Sequence, residues 1–144
     1  MIVSVTGPRD GELPLVRQAF TTLAVKHFAK QLGISRLKTN IQVRLHDGLL
    51  LNSIHDARDS EGLCEPLDTR NFIIDVATWG DWLTTLAHEM VHVKQFARGE
   101  LDFAMGYWKS TRVSENMEYW IQPWEKEARR LQHKLAYNFS KDQW

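Results

Sequence analysis

His88 and His92 stand four residues apart, with Glu89 directly after the first, so Leu86-Ala87-His88-Glu89-Met90-Val91-His92-Val93 carries an HExxH pattern. On a helix, side chains four apart lie one turn above each other, and both imidazoles can aim at one point, as a divalent metal requires. Glu89 falls off that line, where it is placed to hold a water on the metal rather than to ligate it. Metal-assisted hydrolysis is therefore the chemistry this sequence offers first.

The elements around the pattern must supply the helix, its packing and a further ligand. Apolar residues recur at helical spacing from about Asp81 to Arg98: Leu83, Leu86, Ala87, Met90, Val91, Val93 and Ala97 form one broad face. His88 and His92 lie together on the other side. Histidines that merely fill a core would lie inside the apolar stripe, so these two point to a second layer or a cleft. Gly99 is placed to end the helix. Upstream, Asn71 to Val76 reads as a strand, separated from the helix by Ala77-Thr78-Trp79-Gly80. Downstream, Pro123 starts a charged helix running to about Phe139, with Trp124, Ala128, Leu131, Leu135 and Phe139 inward.

The first half of the chain reads as scaffold. Met1 to Thr6 forms a short strand before the Arg9-Asp10-Gly11 turn, and Pro14 to Leu32 an amphipathic helix with Leu15, Ala19, Leu23, Ala24, Phe28 and Leu32 toward the core. Ile41, Val43 and Leu45 alternate with polar residues as a half-buried strand. The turn Asp47-Gly48 then leads into Leu49-Leu50-Leu51, which suggests a hairpin. Asn52 to Glu65 reads as an exposed polar loop, and Leu101 to Trp108 as an apolar, aromatic connection or strand.

A chain of 144 residues, 43% apolar with six Trp, suits a single domain over 1–144 with a core of its own. Lys+Arg and Asp+Glu are equal at 18 each, so no global field favours a nucleic-acid backbone or an anionic membrane. The Arg129-Arg130-Lys134 cluster reads as a solvated helix face, and the tryptophans as core and cleft lining. No apolar run reaches the length of a membrane span. The one cysteine, Cys64, has no partner for a disulfide and no base nearby in sequence. The Met1 to Val5 run lacks the basic flank and length of a signal peptide, so a cytoplasmic, reducing environment is expected.

Two histidines leave a catalytic zinc site one protein ligand short. The downstream candidates are Glu125, Glu127 and His133, with Glu115 and Glu118 behind them. Over Pro123-Trp124-Glu125-Lys126-Glu127-Ala128 the chain resembles small gluzincin metallopeptidases, including the minigluzincin and ImmA/IrrE-type enzymes, whose second helix carries a glutamate ligand in an E-x-x-A setting. That resemblance covers only about Trp79 to Gly99 and Gln122 to Leu135. It implies an α+β, zincin-like fold in which an N-terminal helix and a small mixed or antiparallel sheet pack on the HExxH helix. It further implies Glu125 as third zinc ligand, with Glu127 in reserve; His133 as ligand would instead suggest an SprT-like, three-histidine site. Many gluzincins place an Asp four residues beyond the ligand glutamate, where Arg129 stands here. A carboxylate supporting a zinc histidine must then come from elsewhere, from Glu127, Glu118 or Asp102, or be missing.

The expected activity is zinc-dependent endopeptidase hydrolysis of a protein or peptide substrate. Zinc would lower the pKa of a water to about 7, with Glu89 as general base. Tyr119, Tyr107 and His133 are the candidates for stabilising the oxyanion. The resemblance gives Arg70 to Val76 the role of an edge strand that pairs with extended substrate. The alternative is a metal-stabilised binding or regulatory module with little turnover, which would have no need of Glu89.

Overall fold

Three strands run parallel and a fourth antiparallel in one mixed sheet, and alternation decides which side chains reach the core. A computed structural model describes residues 1–7, 14–47, 61–102, 105–114 and 116–143. Strand β1 (Ile2–Thr6) leads to helix α1 (Leu15–Gln31), and β2 (Asn40–His46) returns parallel to β1. Strand β3 (Gly62–Pro66) forms a hairpin with β4 (Asn71–Ala77), which lies parallel to β2, giving the order β1-β2-β4-β3. Asp68 closes the hairpin by accepting from the backbone N–H of Arg70 and Asn71. Ile41, Val43 and Leu45 of β2 and Phe72, Ile74 and Val76 of β4 face inward and are fully covered. Asp75 takes the alternate face, where it receives both guanidinium arms of Arg44 at 2.7 and 2.8 Å and the His46 ring at 2.7 Å.

Helix α2 (Trp82–Ala97) packs on this sheet, with α1 and helix α3 (Pro123–Asp142) against it. Asp81 caps α2, its carboxylate accepting from the Thr84 N–H and hydroxyl. Gly99, at φ 69°, takes the left-handed conformation that ends it. Leu86, Ala87, Met90, Val91 and Val93 are fully buried. Pro123 occupies the first turn of α3, whose far end is tied to α1 by His27 on Asp142 at 2.8 Å. Between α2 and α3 run three two-residue strands, β5 (Leu101–Asp102), β6 (Tyr107–Trp108) and β7 (Thr111–Arg112), and a 3-10 turn at Tyr119–Ile121. The fold is α+β, with three α-helices and a mixed sheet among the described residues.

Four expectations change. Strand β4 is interior, paired along its length with β2 and over Phe72–Val76 with β3, so it cannot be the substrate-pairing edge. The edge beside α2 is β3, which lies in the stretch expected to be loop. Its sequence Gly-Leu-Cys-Glu-Pro has neither a β-branched run nor apolar alternation, and its proline is tolerated only at an edge. Strand β2 has β1 on one side and β4 on the other, leaving residues 40–44 no edge for the expected hairpin; residues 48–60, and the turn at 9–11, lie outside the described residues. In α1 the buried stripe is Thr21, Ala24, Val25, Phe28 and Ala29, while Leu15 and Leu23 are exposed. The helix offers two apolar faces at helical spacing, and packing selects one.

Candidate metal centre

Helices α2 and α3 meet where His88, His92 and Glu125 converge. Glu125 lies in the first turn of α3, where the helix dipole favours a carboxylate. Its Oε2 is 3.0 Å from His88 Nε2 and its Oε1 is 2.9 Å from His92 Nε2. The two rings stand nearly perpendicular, with centroids 5.0 Å apart. One donor atom from each of the three residues lies within 4.8 Å of the others, so the cluster can hold a metal ion. Burial works to raise the Glu125 carboxyl, but hydrogen bonds from His88 and His92 outweigh it and hold the group well below the usual carboxylate range. Burial works to lower the His92 imidazole, but the Glu125 hydrogen bond and the Glu89 charge push it up to about 9.

The far side of each ring is also engaged. His92 Nδ1 is 2.8 Å from Gln95 Oε1, and His88 Nδ1 is 2.6 Å from Gln132 Oε1. With Nδ1 directed at an amide carbonyl, each Nε2 is turned toward Glu125. Two imidazole nitrogens and a carboxylate oxygen, all directed inward, are a donor set that fits a divalent transition metal.

Glu89 stands beside this cluster, only 5% exposed. Burial raises its carboxyl pKa, with His92 and His88 pulling the other way. Strand β3 lies directly over it. A Cβ on Gly62 would come 2.6 Å from Thr85 Cγ2 and 2.9 Å from Glu89 Oε1, so only glycine lets the strand approach this closely. Cys64, two residues on, has its thiol pushed well above the ordinary range, chiefly by burial and then by Glu89.

A cleft of about 800 Å³ opens on the cluster, walled by β3 on one side and by α3 and the 3-10 turn on the other. The Tyr119 phenol reaches it, hydrogen-bonded to Glu125; burial first, then the Glu125 charge, pushes its pKa up to about 12. His133 lines the cleft but stands outside the cluster, its Nε2 3.3 Å from Gln132 Nε2. Glu127 faces away, accepting from Lys94 at 3.0 Å, Gln95 at 3.1 Å and Lys109 at 3.3 Å. Tyr107, Glu118 and Asp102 do not line the cleft, and Asp102 instead accepts from the Met105 N–H. Glu115 lies outside the described residues.

Arg129 departs from the solvated face expected of it. Its Nη2 donates to the Trp120 carbonyl at 2.8 Å, and its guanidinium lies 4.8 Å from the Trp120 ring centroid, bracing the 3-10 turn at the cleft mouth. Sequence reasoning also missed Gln95, Gln132 and Gly62. Gln95 follows His92 by three residues and His88 by seven, and Gln132 follows Glu125 by seven, so helical spacing alone could have placed both glutamines on the metal-facing sides of their helices. Gly62 carries no such signal, because its role depends on a strand crossing a distant helix. Compared with family models, with curated proteins and with solved structures, the chain shows no match.

Proposed function

We infer that this chain is a zinc metallopeptidase of zincin-like architecture, in which His88, His92 and Glu125 hold the metal and Glu89 is the general base. The observation that carries the reading is the convergence of those three donors beside a buried Glu89 on the wall of an open cleft. Bound there, zinc supplies Lewis acidity and lowers the pKa of a water to about 7. Glu89 takes a proton from the attacking water as its oxygen bonds the substrate carbonyl carbon. When the C–N bond breaks, Glu89 returns that proton to the leaving nitrogen. The Tyr119 phenol, already directed at Glu125, is the donor best placed for the developing oxyanion.

The edge strand supports a polypeptide substrate. The Ala77 N–H donates to the Glu61 carbonyl, and the Leu67 N–H to the Asn71 carbonyl, each at 2.8 Å. By the alternation of an antiparallel ladder, Gly62 and Cys64 then turn their main-chain groups away from β4. Among the described residues no strand occupies that side. An extended peptide pairing there would lie along the cleft without demand for a particular sequence. Among the described residues no helix is long and apolar enough to cross a membrane, and a single half-buried thiol with a raised pKa suits the reducing cytoplasm.

The test is hydrolysis of an unfolded protein substrate by zinc-loaded wild type and by Glu89→Gln. The reading expects cleavage by wild type and its loss in Glu89→Gln at unchanged zinc content. Equal rates would overturn the role of Glu89. Zinc bound by both without cleavage by either would favour the binding or regulatory module.

A further inference from the structure

Amide oxygens, and among the described residues no carboxylate, meet the Nδ1 atoms of the two imidazoles. Gln95 is fully buried, and its amide nitrogen meets two groups that can only accept: the Trp124 carbonyl oxygen at 2.9 Å and Glu127 Oε1 at 3.1 Å. Its orientation is thereby fixed, because turning the amide over would set its oxygen against two other oxygens. Gln95 Oε1 must then face His92, and the hydrogen between them must sit on Nδ1. Glu127 ends the chain, held by Lys94 and Lys109, and Lys94 also meets Glu100 at 2.8 Å. Lys109 reaches it from the two-residue turn between β6 and β7, where Lys109 and Ser110 both take positive φ, 46° and 70°.

We propose that Gln95 is the positioning residue of the metal centre, fixing His92 as its Nδ1–H tautomer and carrying the negative charge of Glu127 to that ring through a neutral amide. Gln132 faces the Nδ1 of His88 in the corresponding position, with no carboxylate behind it among the described residues and so no charge to relay. The physical effect is twofold. A locked Nδ1–H leaves the Nε2 lone pair free for metal and sets the ring plane, and the polarised amide raises the donor strength of that nitrogen. Glu127, about half a turn from Glu125 and so directed away from the cluster, thus serves the metal from a distance.

This rests on the metal reading above, and the test separates the two. Zinc affinity is measured by chelator competition on the full chain for wild type, Gln95→Met, Gln132→Met and Glu127→Gln. Long-range ¹H–¹⁵N spectra of histidine-labelled, zinc-loaded protein report which ring nitrogen carries hydrogen. Wild type should show Nδ1–H at both His88 and His92. Gln95→Met should keep its circular dichroism, weaken zinc roughly 10- to 100-fold and lose the hydrogen-bonded Nδ1–H signal of His92 alone. Gln132→Met should do so for His88, and Glu127→Gln should weaken zinc less than Gln95→Met does. Wild-type affinity and an unchanged His92 signal in Gln95→Met would overturn the proposal while leaving the metal reading intact. Failure of wild type to bind zinc would overturn both. Should Gln95→Met not fold, Glu127→Gln decides, since it keeps an acceptor for Gln95 and removes only the charge: wild-type zinc affinity there would overturn the charge relay.

Discussion

His88 and His92 are the same side chain one helical turn apart, yet they stand in two different environments. His92 is backed by a buried chain of groups, Gln95, Glu127, Lys94 and Lys109, each with its partners in place. Both rings line the cleft, but His88, the slightly more exposed, is backed by Gln132, whose amide nitrogen among the described residues meets the adjustable ring of His133 at 3.3 Å. The difference teaches that the candidate metal centre has a fixed side, continuous with the core, and a compliant side. Rigidity behind one imidazole would fix where a metal sits, and freedom behind the other would leave room for the peptide of the proposed function.

Replacing each histidine in turn should break this symmetry of sequence most plainly. Both His92→Ala and His88→Ala should lose zinc. His92→Ala should also cost about 3 kcal/mol of unfolding free energy or more, because it strands Gln95 Oε1 and half of Glu125 in the interior. His88→Ala should cost about 1 kcal/mol, since water can replace the ring at the cleft. Equal losses in chemical denaturation would contradict the division.

On the cleft side the tight element is the strand over Glu89 rather than His88. Gly62→Ala should slow hydrolysis by about 10- to 100-fold by displacing the Glu89 carboxylate, with zinc content unchanged. Loss of zinc in that variant would mean that β3 supports the ligands and not the base.

A pH titration sharpens the fixed side. Burial acts to raise the Glu127 carboxyl, but Gln95 and Lys94 outweigh it and hold it below its ordinary value. A carboxylate lowered in the folded state stabilises the protein above its unfolded pKa of about 4.3 and loses that contribution as pH falls through the folded value. Glu127→Gln should therefore be less stable than wild type by about 1–3 kcal/mol at pH 7, and the gap should close as pH drops below about 4. A gap that persisted into acid would show that packing, and not charge, gives Glu127 its role. Lys109→Met should be the mildest change, about 0.5 kcal/mol or less, because Lys109 is half exposed and Lys94 still holds Glu127.

The two site helices were legible in sequence because local periodicity specifies them. Asp81, Gly99 and Pro123 mark helix ends by backbone chemistry that acts within a turn, and the HExxH spacing needs only a helix to bring two rings together. The sheet edge was not legible. Whether Asn71–Ala77 or Gly62–Pro66 lies outermost is decided by which strand β2 takes as neighbour, and local sequence does not make that choice. The same holds for Glu127, whose two-residue offset from Glu125 made either a plausible ligand. The structure turns one into the cluster and the other onto Lys94 and Gln95, through the rotation of α3 against α2 that Trp124 and Ala128 fix by packing into the core.

The central claim is that Glu125, and neither Glu127 nor His133, completes the metal centre with His88 and His92. Zinc bound per chain, measured by atomic absorption after dialysis of wild type, Glu125→Ala, Glu127→Ala and His133→Ala, tests it directly. The account predicts one zinc in wild type and His133→Ala, reduced retention in Glu127→Ala and none in Glu125→Ala. Full zinc occupancy in Glu125→Ala would contradict it.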